Sequence, residues 1–379
     1  MVQHTPADTA SCDALSLCTP DFPTSLCGFA RADGRHGLRN RLLILYTVNC
    51  SSMAAREIAD RLRLAGVDVD IAGNESCYDN QTVIDCMLRL GVHPNTGAVL
   101  IVGHGCEFIQ TGPMLDTIKR HGRPAEAIYM QEGGTAAAIE RGTRAAFDLV
   151  EKLKGLQKTP FPISELIIGI LRMGESEILG GAAAVIAREY SSRGATVLIG
   201  AEELPEGQYD DDGLRELLEK NRLQRGLSGG RACPAREPLP LEPAEIRGAL
   251  KIARLPSEAG IWVVDKTQDR EHSRGMPRAG VSYDALMLSC CGAQLVCVLT
   301  DRGIAVDTVG AAVVRISDTA ARSVDSDIMA AGASDNTGYQ KLARAVAYKA
   351  VSGTTAADRA VWRENVLLRS LQDHVFNKC

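Results

Sequence analysis

The sequence predicts an α/β protein built of two Rossmann-like parallel-sheet domains, and three observations carry that prediction. Apolar strand-like runs alternate with amphipathic helical runs along most of the chain, the pattern of a parallel sheet wrapped by helices. The helical runs close on glycine, at Gly66, Gly91, Gly122 and Gly155, where a left-handed residue ends the last turn. The alternation breaks once, at LQKTPFP, and then resumes in a chain of 379 residues, longer than a single core usually serves.

In order, residues 1 to about 30 mix Pro, Asp, Thr and Ser with Cys12, Cys18 and Cys27 and show no period, so a loosely held arm is expected. Residues 31–155 are expected to form the first domain. Its strands are LLILYTV, VDVDIAG, AVLIVG and EAIYMQ, and its helices SMAAREIADRLRLAG, NQTVIDCMLRLG, MLDTIKRHG and TAAAIERGTRAAFDLVEKLKG. Pro160 and Pro162 stop the last helix and set the boundary. The second domain, 156–379, opens with strand ELIIGIL, helix GGAAAVIAREYSSRG and strand TVLIGA. A Gly/Pro/Arg-rich stretch around Cys233 reads as a long excursion. Strands are then expected at GIWVVD, ALMLS, QLVCVLT and AAVVRIS, and helices from Gly338 to the end.

Composition narrows the function. Hydrophobic residues at 45% and charged residues at 23% are ordinary for a globular protein, while aromatics at 4% leave an aliphatic interior. A net charge of -5 and the lack of basic stretches interleaved with aromatics argue against nucleic acid as a partner. No apolar run is long enough to span a bilayer and the first 20 residues have no signal-peptide core, so a cytoplasmic protein is expected. Twelve cysteines in a reducing compartment are then buried hydrophobes, metal ligands or reactive groups rather than disulfides.

The chemistry gathers at strand ends. Cys50, Cys77 and Cys106 each follow one of three consecutive strands, and ligands of open parallel sheets bind outside the carboxyl ends. After the third strand, Gly103, His104, Gly105, Cys106 and Glu107 offer imidazole, thiolate and carboxylate in one turn. The plainer alternative is that Cys106 packs and His104 bonds a loop carbonyl. Gln131 and Glu132 close the next strand, Glu132 being a candidate base or a helix cap. Arg35 and Arg39 lie in a loop dense in arginine, suited to clamping a carboxylate or simply solvated. Thr300 and Arg302 end a strand of the second half. Cys290 and Cys291 are adjacent, a poor chelate, and read as packing.

Those same residues carry a resemblance. RADGRHGLRNRLLILYTVNCSS, HPNTGAVLIVGHGCE, the spaced QEGG, SELIIGI and LTDRG occur in the order of the altronate and galactarate dehydratase family, over about residues 31–320. The resemblance implies removal of water from an aldonic or aldaric acid to give a 2-keto-3-deoxy acid. It also implies divalent iron, manganese or a similar metal, and a small N-terminal module or separate small subunit. That module is expected to be missing from this chain. Cys50, Cys77, Cys106 and Glu107 are then the candidate metal ligands, with an iron–sulfur cluster as a related option. Glu132 and His104 are the candidate catalytic groups, and Arg35, Arg39, Asn49, Gln131, Thr300 and Arg302 the candidate substrate contacts. A small hydroxy-acid substrate and a homo-oligomer are the expected partners.

The departures are specific. Where the family usually shows Cys-Gly-Gly-Ser-Asp after SELIIGI, this chain has Leu171, Arg172, Met173, Gly174, Glu175 and Ser176. Two other readings follow: a different lyase eliminating sulfite or amine, and a non-catalytic homologue that binds a sugar acid or a partner subunit.

Overall fold

The computed structural model describes residues 21–77, 81–227, 237–265, 281–301, 306–318, 326–330, 333, 335–352, 355–359 and 363–367. Its first sheet uses β3 (Arg41–Tyr46), β4 (Val69–Asn74), β5 (Thr96–Gly103), β6 (Ala125–Tyr129) and β15 (Arg363–Leu367). The order is β15-β4-β3-β5-β6 and every pairing is parallel. The connecting helices are α1 (Asn49–Leu64), α2 (Gln81–Gly91), α3 (Thr111–Arg120) and α4 (Gly134–Leu153).

β3 is buried along its whole length because helices cover both faces of the sheet. Successive side chains of a strand point to opposite faces. Leu43 and Leu45 accordingly pack with Val83 and Met87 of α2 and Ile118 of α3, while Leu42, Ile44 and Tyr46 pack with Ile58 of α1 and Leu149 of α4.

The second sheet comprises β8 (Ile167–Met173), β9 (Thr196–Gly200), β10 (Ile246–Lys251), β11 (Gly260–Asp265), β12 (Leu295–Thr300), β13 (Ala312–Ser317) and β14 (Ile328–Met329). Its order is β10-β11-β9-β8-β12-β13-β14, again with parallel pairings. Leu295, Cys297 and Leu299 of β12 face α5 (Glu177–Ser191) and α8 (Asn336–Ser352), and Val296 and Val298 face α7 (Val281–Cys290). The α/β class with two parallel sheets is as the sequence predicts.

The sheets meet at their amino edges. His93 and Asn95, just before β5, bond Ala293 and Gln294, just before β12: His93 Nε2 to the Ala293 carbonyl at 3.2 Å and Asn95 Nδ2 to the Gln294 carbonyl at 2.8 Å. His93 Nδ1 accepts the Asn95 N–H, which leaves the proton on Nε2. Burial, with the charge of Arg35, drives this imidazole down to about 3, so it is neutral. Strands of both sheets start at this junction and run away from it. Each carboxyl edge is therefore about 20 Å from the junction, one strand length.

Several local expectations give way to tertiary context. Residues 25–30 are not a loose arm: β1 (Ser25–Ala30) pairs antiparallel with β7 (Lys158–Pro162) and, on its other side, with β2 (His36–Gly37). β7 tolerates Pro160 and Pro162 because it is an edge strand, with no ladder to feed on its outer side. Leu26 and Phe161 thereby join the second domain's core. ALMLS, expected as a strand, lies in α7; a short continuous apolar run suits a buried helix equally well. α6 (Asp212–Leu227) runs into the stretch read as an excursion and β10 follows it, while Cys233 lies outside the described residues. Past α8 the chain is not helical to its end. It returns as β15 to edge the first sheet, so the first body is not contiguous in sequence. Cys27 is disulfide-bonded, against the expectation of reduced thiols throughout.

That return is fixed by buried charges. Arg39 makes a paired contact with Asp358 at 2.7 and 2.6 Å, Arg41 reaches the same carboxylate at 2.6 Å, and Arg363 bonds Asp70 at 2.7 Å and pairs with Asp68. Burial alone would raise Asp358, but the hydrogen bonds of Arg39 and the charges of Arg39 and Arg41 outweigh it and hold the carboxyl well below its usual range.

Candidate active site

β3 is followed by β4 on one side and, after α2, by β5 on the other, so chain order reverses around β3. In an open α/β sheet this is the place where loops diverge and leave a crevice for a ligand. At that place the turn after β5, His104 to Glu107, stands against Thr47, Val48 and Asn49 after β3.

Glu107 builds it. The side chain is 6% exposed, yet its carboxylate is bonded throughout. Oε1 accepts Thr47 Oγ1 at 2.5 Å and the His104 N–H at 3.0 Å, and Oε2 accepts the Gly105 N–H at 2.6 Å. Burial would raise this carboxyl, but the Thr47 hydroxyl and the loop amides prevail and hold it below its ordinary value, so it stays ionised. The turn needs Gly105, whose φ is 121°.

This turn sets His104 Nδ1 3.4 Å from Cys106 Sγ. The ligating atoms of His104, Cys106 and Glu107 all lie within 4.8 Å of one another, and among the described residues no other group of three such side chains does so. The donor set fits a borderline-soft divalent metal. Bonds of about 2.3 Å to sulfur and about 2.0 Å to nitrogen at a tetrahedral angle put the two atoms about 3.5 Å apart. Glu107 Oε2 accepts the Gly105 N–H and retains acceptor capacity.

The neighbouring loops close around this turn. The Phe108 N–H bonds the Cys77 carbonyl at 2.9 Å, so the loop after β4 passes over the end of β3 to reach the loop after β5. Asn74, 1% exposed, ties that loop to the Thr47 carbonyl at 3.4 Å and the Ser76 carbonyl at 2.8 Å. On the other side the Gln131 N–H bonds the His104 carbonyl at 3.1 Å. Cys50, Cys77 and Cys106 are exposed thiols at three neighbouring strand ends, in contrast to Cys86, Cys290, Cys291 and Cys297, which are buried. Burial pushes the Cys291 thiol up to about 12, as suits a packing group. Asn49 and Cys50 open α1, whose N-terminus has no side-chain cap. Gln131 and Glu132 stand exposed before Gly133 and Gly134, both at positive φ, and α4.

The structure gathers some expected site residues and separates others. Asn49, Cys50, Cys77, His104, Cys106, Glu107, Gln131 and Glu132 share the carboxyl edge of the first sheet. Cys50 and Cys77 lie outside the tight cluster of His104, Cys106 and Glu107. Arg35 and Arg39 precede β3 and so sit at the opposite edge, with Arg39 committed to Asp358. Thr300 is buried at the carboxyl end of β12, the equivalent reversal in the second sheet, where the neighbouring Asp301 accepts the Glu175 N–H at 3.0 Å. Arg302 lies outside the described residues. Arg172, which follows SELIIGI, is buried against Glu203 at 2.8 Å. Thr47 and Asn74 escaped the sequence reading; the one signal for each is a polar residue closing an apolar strand.

The fold and these donors define a parallel-sheet protein with a cluster of potential metal ligands, His104, Cys106 and Glu107, at a strand-order reversal. Residues 28–154 match the family described as D-galactarate dehydratase/Altronate hydrolase, second domain. The chain is 28% identical over 169 residues to the (2R)-sulfolactate sulfo-lyase subunit beta of Chromohalobacter salexigens, covering 41% of this chain and 40% of that protein. It is 28% identical over 168 residues to the altronate dehydratase of Bacillus subtilis and 30% identical over 169 residues to that of Escherichia coli, covering 33% of each. The chain thus spans two fifths or less of the length of these curated relatives. A solved alpha subunit of acetyl-CoA synthase/carbon monoxide dehydrogenase aligns over 87% of this chain and 59% of that chain, with a TM-score of 0.21 and 10% identity, a likeness that carries no argument. Among the described residues no helix is long and apolar enough to cross a membrane.

Proposed function

We propose that this chain is the metal-binding part of a lyase that eliminates water from a sugar acid to give a 2-keto-3-deoxy acid. The carrying observation is the 3.4 Å pairing of His104 Nδ1 and Cys106 Sγ at the reversal point of a domain that matches this family. His104 and Cys106 would hold the metal, divalent iron or manganese, with Glu107 bracing the turn and offering Oε2. Cys50 and Cys77 are the further soft donors at the same edge, for the metal or for an iron–sulfur cluster. When bound, the metal supplies Lewis-acid polarisation of the substrate's oxygen atoms, worth several kcal/mol of transition-state stabilisation.

The chain's own residues do the rest in this reading. Glu132, exposed at the same carboxyl edge, takes the proton alpha to the substrate carboxylate. The electron pair of that C–H bond forms the double bond as the C–O bond to the neighbouring hydroxyl breaks. The departing hydroxyl takes up the proton that Glu132 removed and leaves as water, and the enol product becomes the keto acid. The uncapped N–H groups of α1, with Asn49 and Gln131, orient the substrate carboxylate.

A second reading is favoured by one observation: a relative of similar identity is named as a sulfo-lyase subunit beta, which supports a C–S elimination and a separate partner chain. The test is metal analysis of anaerobically purified protein, then a screen of aldonic, aldaric and sulfonated hydroxy acids with and without ferrous iron and a candidate small subunit. Keto acid without sulfite supports the hydro-lyase, and sulfite release supports the second reading. Absence of metal and of turnover under every condition rejects both in favour of a binding homologue.

A further inference from the structure

The arginine loop that the proposed reaction leaves unused has its own geometry. Arg35 and Arg123 converge on the same two acceptors. Both donate to the Val92 carbonyl, at 2.6 and 3.4 Å, and both pair with Asp33 Oδ2, at 2.7 and 3.2 Å. Two guanidinium groups therefore share one carboxylate. Arg31 adds a third positive charge nearby, 9% exposed, and its donors go to neutral acceptors alone: the Pro94 and Arg39 carbonyls and Asn40 Oδ1. Burial, with the charge of Arg123, lowers Arg31 to about 9, and the same charges bear on His93.

Buried charges are ordinarily matched by opposite ones. Here three guanidinium groups face one carboxylate. The surplus has donors to spare. Arg123, 2% exposed, has a buried Nε–H with no hydrogen-bond partner among the described residues. Arg35, whose side chain is 33% exposed, spends only Nη2 on the protein, leaving its Nε–H and Nη1–H groups without a partner among the described residues. Arg89 extends the positive field from α2 and crosses to the Ala253 carbonyl of the second domain at 3.0 Å.

We propose that Arg35 and Arg123 form a binding site for a small oxyanion, phosphate or carboxylate, at the seam between the two domains. An oxyanion accepts several N–H donors at once and suits the planar guanidinium fork. The site is separate from the cluster at the carboxyl edge, about one strand length away. Because the flanking His93 and Arg89 both contact the second domain, bound anion would tighten the junction.

The test uses the full chain. Thermal unfolding is followed while inorganic phosphate or malonate is titrated against chloride at fixed ionic strength, in the native protein and in Arg35→Gln, Arg35→Lys and Cys106→Ser. A saturable rise in melting temperature with one oxyanion, weakened at least tenfold in Arg35→Gln, partly kept in Arg35→Lys and unchanged in Cys106→Ser, supports the site, and the responding anion identifies the ligand class. A rise that never saturates, or one equal in the native protein and Arg35→Gln, overturns it. The Cys106→Ser arm keeps this outcome independent of the proposed reaction.

Discussion

Thr47 Oγ1 donates to Glu107 Oε1 at 2.5 Å, a bond that joins the end of β3 to the turn after β5 at the point where strand order reverses. Glu107 folds the turn carrying His104 and Cys106 onto its own amides, and the Thr47 hydroxyl ties that carboxylate to the end of β3. Thr47→Val keeps the shape and removes the donor from a buried, ionised acceptor, which costs about 1–3 kcal/mol. We expect that loss in chemical denaturation, together with weaker metal retention in dialysis. Unchanged metal retention would separate the clamp from the donor pair.

Cys106→Ser replaces the thiolate by a hydroxyl, a poor ligand for a soft-leaning divalent metal. Bound metal and any elimination activity should fall together, with little change in unfolding free energy because the thiol is exposed. Cys86→Ser, a buried position, is expected to show the opposite pattern: metal retained and stability reduced. Metal analysis and denaturation on the same preparations check both.

Asp358 binds Arg39 and Arg41 where the chain turns back toward β15. Asp358→Asn leaves two buried guanidinium groups short of their counter-charge and should cost about 3–5 kcal/mol. The folded-state pKa of Asp358 lies below its unfolded value. Its contribution is therefore present above the unfolded value of about 3.9 and is lost as pH falls toward the folded one. Native stability should decline below about pH 4, and Asp358→Asn should flatten that decline. Urea midpoints between pH 3 and pH 7 for both proteins give the comparison.

Gly73 pairs with Tyr46 across β3 and β4, and a Cβ at Gly73 would come within 2.2 Å of the Tyr46 ring. Gly73→Ala must displace a fully buried aromatic ring, and overpacking of this kind costs about 1–3 kcal/mol. A lowered melting temperature that recovers in Gly73→Ala/Tyr46→Leu would confirm the overlap as the cause.

The sequence by itself determined the class of fold, because periodicity encodes which face is buried: LLILY and AVLIVG become central strands covered on both faces, and the glycines at 66, 122 and 155 end turns at positive φ. It also placed Cys50, Cys77 and Cys106 at strand ends, since a strand and its following loop are contiguous in the chain. Contacts between segments far apart in sequence were not legible. Nothing local marks Thr47 as the partner of Glu107, 60 residues on, or Asp358 as the partner of Arg39, 319 residues away. Arg35 and Arg39 suit a substrate carboxylate on guanidinium chemistry alone, which says nothing of where they lie. The direction of β3 sends them to the other edge of the sheet, and only the pairing of two amino edges through His93 and Asn95 decided that they line a seam between domains.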